Sequence, residues 1–167
     1  MVSSHTTIYD FIIGAIFYYG YLHKRYDTYV LMKKEFERVV SPILWLFDSK
    51  FKLISVVPSK KQHLTAQIVQ TLQTMNNYIL YLAPEGTRKC NENLRTGYWV
   101  IAKELKADIV YIGIDYMSKT ITLEKSRKVM ENWEDEKYEF IKSVKKYVPL
   151  YPERCYWTKD FYNPNDE

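Results

Sequence analysis

His5 and Asp10 stand five positions apart in His-Thr-Thr-Ile-Tyr-Asp, near the start of the 167-residue chain. On one unbroken helix that spacing turns the two side chains about 140° apart. They meet only if His5 lies in the turn before a helix. Ser4, Thr6 and Thr7 are residue types that cap helices, and they place that turn there. A carboxylate bonded to one imidazole nitrogen fixes the tautomer and stabilises the imidazolium, so the other nitrogen can take a proton. Such a pair is a general base for activating a hydroxyl. Taken alone, a His and an Asp near a helix start are also an ordinary surface pattern.

A second group, Glu85-Gly86-Thr87-Arg88, follows directly on the apolar run 78–82 and Pro84. Sites in open α/β sheets gather just past the carboxyl ends of strands. Gly86 lets backbone N–H groups approach an anion. Arg88 offers a planar fork for phosphate oxygens. A plain strand-to-helix turn with a solvated Arg would carry the same residues.

The elements around these groups read as follows. In the stretch 3–22, Ser4, Thr6 or Thr7 can cap the helix that follows; 25–38 carry mixed charge, and their portion 31–36 suits a strand passing into a helix. Pro42 breaks the pattern before the apolar run 43–47. A β-prone run at 53–57 ends at Pro58, and Ser59 caps a helix with Leu64, Ile68 and Leu72 at helical spacing. Residues 78–82 suit a buried strand. A helix over 98–105, a strand over 109–116, its partner over 121–124 and a charged amphipathic helix over 131–147 complete the reading. The last 17 residues, with two prolines, five aromatics and an acidic end, read as a packed or frayed tail. Strands alternating with helices argue an α/β layer structure, a mixed β-sheet flanked by helices. Length and the absence of a repeat or linker predict one domain over 1–167, with the motifs in 1–124 and a C-terminal helix and tail in 125–167.

Charge narrows the function classes. Lys and Arg exceed Asp and Glu by 24 to 20, which excludes a strongly basic nucleic-acid tail. The 16 tyrosines are scattered through the apparent elements rather than set out as a stacking platform, so no nucleic-acid partner is expected. Tyrosine suits a half-wet apolar boundary, whether in a core or facing lipid. Cys90 and Cys155 form no metal-binding pair and read as free thiols of a reducing compartment. His23 and His63 have no ligand spacing to His5, so no metal is expected. The run 11–22 is shorter than a spanning helix needs, and the basic start of a secretory signal is missing. Membrane contact is expected to be peripheral, through 11–22 or 43–47, on a cytoplasmic protein.

His5 with Asp10, and Ala83-Pro84-Glu85-Gly86-Thr87-Arg88, together resemble the first and third motifs of the glycerophospholipid acyltransferase family, the lysophosphatidate-acyltransferase-like enzymes. The first motif is His-x4-Asp, and the third is typically Phe-Pro-Glu-Gly-Thr-Arg. Their order and separation also match. The run 95–102, Arg-Thr-Gly-Tyr-Trp-Val-Ile-Ala, looks like the helix that often follows the third motif. The resemblance extends to about residue 124.

It implies an acyltransferase of phospholipid biosynthesis. His5 would act as general base on the hydroxyl of a lysophospholipid-like acceptor, and Asp10 would orient it. The hydroxyl would attack the thioester of an acyl-CoA or acyl-carrier protein, with no cofactor beyond that donor. Glu85, Gly86, Thr87 and Arg88 would shape the acceptor site, Arg88 facing its phosphate. The family's second motif usually ends in a phosphate-binding Arg. Here Pro58 stands at that place, and Lys60 and Lys61 are the available cations. Asp108 stands where the fourth motif normally begins with Pro. Relatives usually carry a membrane-docking segment before the His, and this part is expected to be absent. The rival expectation is a catalytically weakened module of the same fold that binds lipid or a membrane surface.

Overall fold

The computed structural model describes residues 1–4, 6–33, 50–56, 64–87, 89–91 and 93–155. The run 43–47, the Ser59 cap and residues 156–167 of the tail lie outside the described residues. The described residues have mixed α/β content. The chain falls into two compact units, one of Met1–Ile13 with Ala83–Glu167 and one of Gly14–Leu82.

The first unit is built on strands β1 (Val2–Ser3), β5 (Asp108–Ile109), β6 (Tyr111–Asp115), β7 (Thr120–Leu123) and β8 (Arg127–Lys128). β6 is central in a three-stranded sheet, parallel to β1 and antiparallel to β7. Val2 pairs with Tyr111 and Ser3 with Ile112, so both strands run toward the same edge. Whatever follows Ser3 and whatever follows Asp115 must therefore emerge side by side. β5 and β8 form a separate antiparallel pair. The β6–β7 turn holds Lys119 at φ 55°, and Asp115 Oδ1 accepts the Ser118 amide at 2.8 Å.

Helix α1 (Ile8–Phe17) follows β1. The capping residues predict a helix that starts after 4–7 and leave the residues before them unassigned. Strand β1 occupies Val2–Ser3, and two residues are too few to show a period of two in the sequence. The helix then begins three positions after His5, as the spacing argument required.

The core of this unit is aromatic. Tyr111 of β6 meets Phe140 edge-to-face at 5.5 Å between centroids, and Tyr98 lies 6.2 Å from Phe140 and 5.8 Å from Trp133. These side chains come from α3 (Gly97–Glu104) and α4 (Trp133–Val144). α4 starts two residues later than the charge pattern predicts because Asn132 caps it, its Oδ1 accepting the Glu134 amide at 2.8 Å. It ends at Val144, and Tyr147 is then free of the helix to lay its ring on Gly113 of β6. A Cβ at position 113 would overlap that ring.

Glu136, on α4, is fully buried in this core. Its carboxylate accepts hydrogen bonds from the Tyr111 hydroxyl, from Arg127 at 3.0 Å and from the Met130 amide at 2.9 Å. A charge can stay in an apolar core when donors surround it in this way.

The second unit begins at Gly14 within α1, continues into a π-helical turn, Tyr18–Leu22, and contains β2 (Asp27–Lys33), β3 (Phe51–Val56), helix α2 (Leu64–Leu72) and β4 (Tyr78–Tyr81). Its sheet is parallel, in the order β3-β2-β4, with Val30 level with Leu53 and Tyr81. Central strand β2 buries Thr28, Tyr29 and Val30 in sequence, as a strand covered on both faces does. α2 buries Ile68 and Leu72 at the spacing of one helical turn. No helix of the described residues is long and apolar enough to cross a membrane.

Candidate functional site

Asp10 occupies the third position of α1 and is buried, with 3% of its surface exposed. Thr7 is the cap. Its Oγ1 accepts the Tyr9 amide at 3.4 Å, while Asp10 Oδ2 reaches back to the Thr7 amide at 2.9 Å and the Thr6 amide at 2.7 Å. This is a capping box with aspartate in the acidic position. The box folds the loop between β1 and α1 back over the carboxylate. It thereby fixes the backbone next to position 5. His5 itself lies outside the described residues.

The loop is held at further points within the same unit. Arg154, in the 3-10 turn Pro152–Arg154, donates from Nη1 to the Thr6 carbonyl at 3.0 Å. Cys155 Sγ lies 3.7 Å from Ser4 Oγ. The tail region therefore does not fray where it is described; it packs on the first loop. Burial pushes the Cys155 thiol up to about 12, and the nearby carboxylates of Glu85 and Asp10 add to the rise. The two acidic motif residues thus act on the same buried thiol.

Glu85 is buried, at 5% exposure. A turn places it: the Gly86 amide donates to the Ala83 carbonyl at 3.2 Å, and Gly86 has φ +61°, where L side chains are strained. The Arg95 side chain lies against Gly86, leaving no room for a Cβ. The Arg95 amide donates to the Pro84 carbonyl at 2.8 Å, and Asn91 Nδ2 donates to the Glu85 carbonyl at 3.2 Å. Thr87 turns its hydroxyl to the Lys89 amide, at 3.2 Å, rather than to a neighbouring motif residue. Arg88, Lys60 and Lys61 lie outside the described residues, as do Pro58 and His63.

Two residues at this site carry no signal in the sequence motifs. Asn91 ties down the Glu85 loop from six positions away. Tyr116 donates its hydroxyl to Asp10 Oδ1 at 2.6 Å. The parallel pairing of β1 with β6 explains the second contact, since both residues follow the carboxyl end of a strand. A shallow concavity opens here, lined by Ser4, Thr6, Asp10, Tyr116, Tyr147 and Pro149. An anchored carboxylate at the base of a concavity can hold and polarise an imidazole N–H.

A family model described as acyltransferase matches residues 1–115. No curated protein and no solved structure matches the chain.

Proposed function

The chain belongs to the glycerophospholipid acyltransferase family, and from that premise we propose that it transfers a fatty acyl group from acyl-CoA or acyl-carrier protein to the hydroxyl of a lysophospholipid-like acceptor. That it is an acyltransferase follows from the family; donor, acceptor and residue roles are the proposal.

His5 takes the acceptor's hydroxyl proton as the oxygen attacks the thioester carbonyl. A C–O bond forms, the C–S bond breaks, and the imidazolium returns the proton to the leaving thiolate. No covalent acyl-enzyme and no metal enters. Asp10 fixes the imidazole tautomer and carries the opposing charge while the proton is held. The observation that supports this most is the double anchoring of the buried Asp10 carboxylate beside position 5. Glu85 and Gly86 shape the acceptor pocket, Thr87 supports it, and Arg88 meets an acceptor phosphate. Lys60 and Lys61 supply the cations that a second-motif Arg supplies elsewhere.

Peripheral membrane contact belongs to the same reading. Tyr9, Ile12 and Ile16 of α1 are 53%, 45% and 67% exposed, and their spacing sets them along one face of the helix that carries Asp10. Such a face suits the boundary where an amphipathic acceptor resides. A panel of phosphorylated and neutral lysolipids, offered with labelled acyl-CoA and acyl-carrier protein, tests the proposal. Turnover confined to lysolipids with a phosphate, weakened by Arg88→Ala, supports it. Vesicle binding with no acyl transfer to any acceptor would favour the weakened lipid-binding module instead.

A further inference from the structure

Asp10 is held from two independent directions. The Thr6 and Thr7 amides come from its own loop and belong to the cap. The Tyr116 hydroxyl comes from 106 positions later in the chain, at the end of β6. Its 2.6 Å bond to Oδ1 lies in the range of charge-assisted O–H···O⁻ bonds. With Oδ2 claimed by the cap and Oδ1 by the phenol, the carboxylate cannot rotate. Among the described residues, three donors converge on this one carboxylate.

We propose that Tyr116 is a positioning residue of the acyl transfer: its hydroxyl locks the plane of the Asp10 carboxylate and draws off part of its charge, and so sets how strongly Asp10 supports the His5 imidazolium. This rests on the reading of His5 as the base. Tyr116 acts through Asp10 and need not touch the acceptor. Among the described residues, Glu85, the Cys155 thiol, the Tyr147 phenol and the Arg154 guanidinium on the Thr6 carbonyl are the other charged and titratable groups around the loop.

The test compares wild type, Tyr116→Phe and Ser118→Ala. Ser118 shares the β6–β7 hairpin and bonds Thr120 at 2.8 Å, so its loss loosens the hairpin without touching Asp10. The His5 ring is titrated by NMR, its signal assigned by its disappearance in His5→Gln. Without the phenol the carboxylate supports the imidazolium more strongly. The His5 midpoint should move to higher pH by about 0.5 unit or more in Tyr116→Phe, and stay in place in Ser118→Ala. In turnover, kcat should nevertheless fall about 10- to 100-fold, because a carboxylate freed to rotate no longer aims the imidazole at the hydroxyl, with the KM for acyl-CoA nearly constant. An unmoved midpoint in Tyr116→Phe overturns the proposal whatever the rate does, and so does an equal shift in Ser118→Ala. If the midpoint moves but the wild type transfers no acyl group, the positioning of His5 stands and the acyltransferase reading fails.

Discussion

Arg154 reaches across 148 positions of sequence to bond the carbonyl of Thr6, the residue next to the proposed base. Its guanidinium also lies over the Tyr151 ring, 4.0 Å from the centroid, which limits where the fork can point. The described C-terminal turn thus braces the first motif. Arg154→Ala should cost about 1 kcal/mol of stability, read as a lower urea midpoint. Activity should fall by more than that loss of folded protein accounts for, because the Thr6 carbonyl, beside the proposed base, is released. Unchanged turnover would show that the brace has no role in catalysis.

Glu136 and Arg127 form an ion pair at 3.0 Å in the aromatic core, with the Glu136 side chain fully enclosed and Arg127 partly exposed. Removing one partner strands a charge in the aromatic core. Arg127→Met should destabilise by about 3 kcal/mol or more. The double variant Arg127→Met with Glu136→Leu should recover much of that loss. Chemical denaturation of the three proteins closes the cycle. Additive losses would contradict the pairing.

Tyr147 and Glu124 couple the turn after α4 to the end of β7. The Tyr147 hydroxyl, and next the Lys146 ammonium, hold the Glu124 carboxyl below the usual carboxylate range. A folded-state value below the unfolded one means stability that is present above the unfolded value and lost as pH falls through the folded one. Glu124→Gln should therefore lower Tm at pH 7. Its Tm should converge on wild type as pH falls through and below about 4. A constant gap down to acid pH would argue against the interaction.

Cys90 is exposed and Cys155 is buried, with its thiol pushed up to about 12. At pH 8, iodoacetamide should label Cys90 alone in the native protein and both after unfolding in urea. Mass mapping distinguishes the two sites. Rapid native labelling of Cys155 would contradict the packing of the tail on Ser4.

Much of this arrangement is legible in the sequence. Spacing requires a helix that begins after His5, and α1 does so. The Leu64, Ile68 and Leu72 period appears as α2, and the apolar run at 78–82 appears as β4 (Tyr78–Tyr81), half-buried rather than buried. Local signals of this kind depend on neighbours in sequence. The two-residue strands β1 and β8 have no such signal, since strands that short carry no alternation. The contacts of Tyr116 with Asp10 and of Arg154 with Thr6 are also illegible. The first depends on which strands pair and the second on where the C-terminal turn packs, neither on residue type. The tyrosine excess divides as chemistry allows: Tyr29, Tyr98 and Tyr111 are core, while Tyr9 and Tyr21 face solvent.

The central claim is that His5 is the general base of an acyl transfer. Initial rates of transfer from labelled acyl-CoA to a lysophospholipid, for wild type and His5→Ala, test it most directly. The account predicts ready transfer by wild type and a loss of about 10²–10⁴-fold in the variant, with the variant's unfolding midpoint close to wild type. Equal rates in the two proteins would contradict it.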